Sequence, residues 1–310
     1  MNMNTTQRLK DQINDYFVGK EEVVSDVLTC LLAGGHILLE DVPGVGKTTL
    51  ARTLAKSIDC SFGRIQFTPD TLPSDVVGLS VYNMKTGDFD YKTGAIMHQM
   101  ILADEINRTS PKTQASLLEA MAEGQVTVDG TVYALPKPVM VLATQNPVEF
   151  IGTYPLPEAQ MDRFMMRLTI GYPKAEEEML LARNFLQDKT VEHVSPVCET
   201  DDVLSWIEAV NRVHVSDKIL EYTETIIGYT REEKRFVMGA SPRAMLHLIA
   251  AARARAFLEG RDFVKPDDIK AVACKVLHHR LILTSEARIQ AEDVDHILSG
   301  LIVKAKVPME

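Results

Sequence analysis

Short apolar runs punctuate the first half of the chain: "HILLE" at 36–40, "SFGRIQF" at 61–67, "QMILADE" at 99–105, "PVMVLATQN" at 138–146 and "FMMRLTIGY" at 164–172. Helical patterns separate them, which is the rhythm of a parallel sheet covered by helices. Their continuous apolar character predicts five strands buried on both faces. Two stretches break the rhythm. "LSVYNMKTGDFDYK", residues 79–92, predicts two short strands around Thr86 and Gly87, with a turn at Met84 to Gly87. "GQVTVDGTVYA", residues 124–134, sets Asp129 and Gly130 between β-branched flanks, a strong hairpin signal.

Beyond Tyr172 and Pro173 the period changes to that of helices and stays so through residue 303. Met179, Ala182, Phe185 and Leu186 share one face of the first helix, whose "AEEE" start puts negative charge at its positive end. In "ASPRAMLHLIAAARARAFLEG", Ser241 is the expected N-cap, Pro242 the first helical residue and Gly260 the terminator. Met245, Leu248, Ile249, Ala252 and Ala256 form its expected buried stripe. Further helices start at Pro266, with Ile269, Val272 and Val276 on one face, and near Glu292, with Val294, Ile297, Leu298 and Leu301. The pattern divides the chain into an α/β unit over residues 1–173, carrying both hairpins, and an all-helical unit over 174–310.

At 310 residues the chain is long enough to bury about three quarters of its unfolded surface. Its net charge of -10 opposes non-specific attraction to a polyanion. Cys30, Cys60, Cys198 and Cys274 lie too far apart for a zinc or redox motif and read as reduced thiols. The adjacent His278 and His279 do not share the face of a helical metal site, so no zinc is expected. The polar start has no apolar signal core, and no run approaches the roughly 20 apolar residues of a membrane span, which predicts a cytoplasmic protein without membrane insertion. On that expectation the sequons at Asn4 and Asn107 are chance matches.

Chemistry enters at "EDVPGVGKTTLAR". A bound phosphate needs inward-facing amide groups and a cation, in a loop whose side chains leave the backbone accessible. Gly44, Val45, Gly46, Lys47, Thr48 and Thr49 supply such a loop between a strand and a helix, although Asp41 stands where the usual pattern begins with Gly. A ligand-free glycine turn is the competing reading. "MILADE" ends an apolar strand with Asp104 and Glu105, two carboxylates at the sheet edge where ligands bind. One carboxylate can support Mg2+ through its water shell while the other polarises an attacking water.

The loop at Gly44–Thr48, "ILADE", the strand end "ATQNP" and "LPEAQMDRF" together resemble the MoxR family of AAA+ ATPases over nearly the whole chain. That resemblance implies a five-stranded parallel sheet of order 5-1-4-3-2 with a helical lid, binding ATP and Mg2+ between them. It further implies that Thr48 and Asp104 serve the metal, Glu105 activates water, and Asn146 orients it. Arg163 matches the arginine finger supplied to a neighbouring subunit, against a local pair with Asp162 or Glu158. Arg243 matches the second sensor, against a simple carboxylate partner. Val18 and Gly19, in "YFVGKEEV", match the segment near the adenine, or else cap the next helix. Arg108 reaches a subunit boundary or is a solvated loop cation.

The resemblance also implies a ring, commonly a hexamer, with both hairpins facing a central pore. Its clients are other proteins, with a von Willebrand factor A domain as one class. Two alternatives compete with an ATP-driven chaperone. A DNA-translocating motor is disfavoured because the 124–134 hairpin carries no Lys or Arg at its tip. A nucleotide-gated scaffold with little turnover is disfavoured by Glu105 and Arg163.

Overall fold

The computed structural model describes residues 2–146 and 152–307. The chain opens with α1 (Asn2–Tyr16) and α2 (Glu21–Leu32), then alternates strands and helices: β1 (Ile37–Glu40), α3 (Lys47–Ser57), β2 (Phe62–Gln66) and α4 (Pro73–Val77). The first hairpin, β3 (Gly78–Tyr82) and β4 (Phe89–Thr93), precedes β5 (Met100–Asp104) and α5 (Pro111–Glu123). The second, β6 (Gln125–Val128) and β7 (Thr131–Ala134), precedes β8 (Met140–Gln145), α6 (Glu158–Met161) and β9 (Met166–Leu168).

All five expected strands form one parallel sheet of order β2-β5-β8-β1-β9. Counting only these five in chain order gives 5-1-4-3-2. Alternation divides their side chains between two cores. Leu39, Leu102, Leu142 and Leu168 join α1, α2 and α3 on one face, while Leu38, Ile101, Val141 and Ala143 pack with α5 on the other. One expectation fails: β2 is an edge strand, and Arg64 and Gln66 are exposed between buried Gly63, Ile65 and Phe67. An edge has a neighbour on one side only, so β2 keeps an open face on which polar side chains are tolerated.

Both hairpins form where expected. Asp129 and Gly130 both take positive φ, 49° and 78°, as a two-residue turn of this hand requires. Tyr91 of the first hairpin stacks on Tyr133 of the second, with centroids 3.9 Å apart, so the inserts pack as one body.

The rest of the chain is α7 (Ala175–Leu186), α8 (Thr200–Asn211), α9 (Asp217–Glu232), β10 (Phe236–Met238), α10 (Pro242–Leu258), α11 (Pro266–Leu277), β11 (Ile282–Leu283), α12 (Ser285–Ile289) and α13 (Val294–Lys304). The expected all-helical region therefore also holds a two-stranded ribbon, β10 with β11. Ser241 caps α10 by accepting the Ala244 amide, as its sequence requires. The α10 stripe is wider than expected: Ala244, Ala251 and Ala254 are buried, while Met245 and Ile249 are half-buried. The apolar face of α7 is exposed rather than packed, and Phe185 and Leu186 retain 82% and 83% exposure.

Candidate active site

The exit of β1, the start of α3 and the carboxyl ends of β5 and β8 enclose a cavity of about 360 Å³. Gly44 and Gly46 lie on its wall with φ of 87° and 92°. Gly46 immediately precedes the first turn of α3, and a Cβ there would stand 3.1 Å from the Phe17 ring. Glycine is needed on both counts, and it leaves the loop amides and the positive helix end available to an anion. Lys47 and Thr48 line the same wall. The Lys47 ammonium donates to the Asp41 carbonyl at 2.7 Å. Burial pulls its pKa down, and the carboxylates of Asp41, Asp104 and Glu105 oppose that pull.

Asp41 has a role that the loop pattern alone does not convey. Its buried carboxylate accepts the amides of Ile170 and of Gly171, the latter at 2.7 Å, and of Val42 at 3.0 Å. One residue thus ties the loop to the chain leaving β9 through its side chain, and holds Lys47 through its main chain.

Opposite stand the two carboxylates. Asp104 accepts the Thr144 hydroxyl on Oδ1 at 2.9 Å. Its Oδ2 accepts Arg64 Nε at 3.1 Å and Nη2 at 2.7 Å. Glu105 adopts a left-handed backbone, φ 57° and ψ 49°, with its amide donating to Thr144 Oγ1 at 2.9 Å. A non-glycine residue in that region carries strain, here sustained by the hydrogen bond that aims Glu105 at the cavity. Its Oε2 accepts Gln66 Nε2 at 2.9 Å and Arg108 Nη1 at 3.0 Å. Arg108, an exposed residue, therefore also holds the candidate base. Asn146 also lines the cavity, and the "NP" turn that follows it lies outside the described residues.

The structure thus gathers Gly44, Gly46, Lys47, Thr48, Asp104, Glu105 and Asn146 around one space. Val45 and Thr49 do not line it, and Val45 packs into the core beneath the loop. Val18 and Gly19 also stand off the cavity wall, where a Cβ on Gly19 would collide with Glu177 of α7. Neither Arg163 nor Arg243 lines the cavity. Among the described residues, Asp162 pairs with Arg243 and Arg280, and the local pair of Arg163 with Asp162 or Glu158, the reading that competed with the arginine finger, is not formed. Arg243 stands 3.6 Å from Asp162, which also accepts Ser241 Oγ at 2.9 Å and Arg280 Nε at 2.7 Å. Sequence reasoning missed Arg64, Gln66 and Thr144. The signal for the first two was the alternation R-I-Q-F within an otherwise apolar strand.

Comparison with known proteins identifies the class. Residues 36–166 match the family model described as "ATPase family associated with various cellular activities (AAA)", and residues 228–300 match the AAA lid domain. The chain is similar to a crystal structure described as that of "a putative ATPase" from Cytophaga hutchinsonii, with TM-score 0.93 and 40% identity, over 99% of this chain and 96% of that one. Sheet and lid are those of an AAA-type ATPase. Within the class, the chain is similar to the uncharacterized protein YeaC of Bacillus subtilis, 49% identical over 97% of this chain and 94% of that protein. It is 37% identical to Chaperone MoxR1 of Mycobacterium tuberculosis, over 99% of this chain and 83% of that protein. The chain belongs to the MoxR family of AAA+ ATPases. No helix among its described residues is long and apolar enough to cross a membrane.

Proposed function

We propose that this chaperone-like ATPase hydrolyses Mg-ATP in the cavity beside Lys47 and uses the turnover to remodel or mature a partner protein. The observation that carries the reading is the convergence of a phosphate-type loop and a carboxylate pair on one cavity. In this reading the Gly44–Thr48 amides and the Lys47 ammonium bind the phosphates. Thr48 and Asp104 offer the hard oxygens that suit Mg2+, and Asp104 already draws a cation, Arg64, to its Oδ2. Bound Mg2+ would offset charge on the terminal phosphates. Glu105 takes a proton from the attacking water and Asn146 orients it, with Thr144 holding the Asp104 carboxylate and the Glu105 main-chain amide in register. Val18 and Gly19 serve the adenine, and Val45 and Thr49 support the loop.

Arg163 lies away from this chain's own cavity, which favours its acting on a neighbouring subunit's nucleotide, while Arg243 serves as the second sensor that couples lid closure to the phosphates. The assembly is then a ring, with a hexamer as its expected size. Residues 1–173 and 174–310 form its nucleotide and lid units, joined by the Asp162–Arg280 contact. Exposed Tyr82, Met84 and Phe89 on the first hairpin give a protein client an apolar surface. A client with a von Willebrand factor A domain, in the cytoplasm, fits the family resemblance.

The test is phosphate release and ATP binding by wild type, Glu105→Gln and Lys47→Ala. Glu105→Gln is expected to bind ATP as wild type does while turnover falls by about a hundredfold or more. Unchanged turnover would require another base. ATP-driven assembly without phosphate release above Lys47→Ala would favour the scaffold, and stimulation by single-stranded DNA that is lost at raised salt would favour the motor.

A further inference from the structure

We propose that Arg64 is a movable counter-cation of the active site, holding the Asp104 oxygen that a metal would claim and turning onto the terminal phosphate when Mg2+ takes its place. The inference rests on the reading of the cavity as an Mg-ATP site.

The argument begins with the edge position of β2. Residues 64 and 66 project from the same face of the strand, and the register sets Gln66 beside Asp104 and Arg64 beside Leu102, two residue pairs back. From there Arg64 reaches across to the Asp104 carboxylate, donating through Nε and Nη2 to a single oxygen, Oδ2, while Nη2 also meets Gln66 Oε1 at 3.0 Å. The other oxygen, Oδ1, is engaged by the Thr144 hydroxyl, which the Glu105 amide fixes in turn. Oδ2 is therefore the oxygen left for a metal or its bound water, and a guanidinium sits on it. Two cations at hydrogen-bonding distance of one oxygen repel strongly inside a partly buried cavity, so metal binding expels Arg64.

Two observations say where it goes. Arg64 itself lines the cavity, alongside Lys47 and Thr48. Its side chain is 49% exposed, so its pair with Asp104 is loose enough to exchange. Glu105, the neighbouring carboxylate, already has Gln66 and Arg108 on its Oε2. The third acidic residue on the cavity wall, Asp41, has its carboxylate taken up by main-chain amides, which leaves the nucleotide's own phosphate chain as the anion for Arg64. Arg64 then adds a charge-assisted hydrogen bond to a terminal phosphate that ATP has and ADP lacks, which makes it a positioning residue with a specificity consequence.

A purely structural Arg64, pinning the edge strand to β5, would change stability and leave nucleotide choice untouched. The experiment separates the two with wild type, Arg64→Gln and Arg64→Lys, whose folding is monitored by melting temperature. Uptake of Mn2+ by the nucleotide-free proteins is read from the spin resonance of free Mn2+, and fluorescent ATP and ADP analogues are titrated with Mg2+ present. Removing the competing cation is expected to tighten Mn2+ binding in Arg64→Gln. The same variant is expected to weaken the ATP analogue by about tenfold and the ADP analogue by less than about twofold, with Arg64→Lys in between. Equal losses for both analogues, or an unmoved ratio with unmoved Mn2+ uptake, would overturn the role of Arg64 while leaving the site itself standing. Failure of the wild type to bind either analogue would overturn the site reading and this inference together.

Discussion

Replacing Asp41 by Gly restores the residue type with which such loops usually begin, yet the structure predicts that it harms the protein. The Asp41 carboxylate accepts three amides, from Val42, Ile170 and Gly171. Hydrogen bonds to a charged acceptor contribute about 1.5–3 kcal/mol each. Val42 and Gly171 are half-buried and can regain water, whereas the Ile170 amide belongs to a buried residue and is left without an acceptor. Added chain freedom at a new glycine costs up to about 1 kcal/mol more. The sum is a loss of about 3–5 kcal/mol, a large share of a typical domain's stability. Lys47 bonds to the Asp41 carbonyl, which glycine retains, so nucleotide affinity should fall far less than stability. Urea unfolding followed through Trp206, the protein's single tryptophan and a buried one, measures the first quantity, and nucleotide titration of the folded variant measures the second. An Asp41→Gly protein within about 0.5 kcal/mol of wild type would refute the anchoring role.

Two further outcomes follow from other parts of the molecule. Inactive Arg163→Ala and Lys47→Ala proteins, mixed as subunits of one ring, should regain some phosphate release because each supplies what the other lacks. No recovery in stably mixed rings would remove Arg163 from action across a boundary. Acid should destabilise the fold through its buried imidazoles. Burial pushes His36 and His247 down to about 4, and His279 well below its ordinary value. These rings are neutral when folded and gain a proton more readily when unfolded. Their contribution is complete above about pH 6.5 and is lost as pH falls toward about 4, at about 1.4 kcal/mol per pH unit for each ring. Urea midpoints measured from pH 7.5 to pH 5 should therefore decline, with a shallower slope in His36→Gln; an identical slope in that variant would exclude His36 as a contributor.

The strands were legible because burial on both faces writes itself as an unbroken apolar run, and the second hairpin because Asp129-Gly130 is a turn that few other residue pairs can make. The cavity-lining half of the site was legible for a similar reason: phosphate-type loops need glycine at fixed places, and Gly44 and Gly46 stand there. What escaped was set by tertiary position. That β2 lies at an edge is a property of the sheet order, so Arg64 and Gln66 gave little sign that they meet Asp104 and Glu105 from across the strand pair. Asp41 looked like a defect in a pattern because its partners, Ile170 and Gly171, lie far along the chain. The exposed face of α7 shows the reverse failure: a helical period indicates which residues share a face, and cannot tell whether anything covers that face.

The central claim, that Lys47, Thr48 and Asp104 converge on a magnesium-bound triphosphate, is tested most directly by calorimetric titration of Mg-ATP into the wild-type protein and into Lys47→Ala. The account predicts saturable binding near one nucleotide per chain for wild type, weakened by about tenfold or more in Lys47→Ala and sensitive to removal of Mg2+. No heat of binding to the folded wild type, or equal affinity in the two proteins, would contradict it.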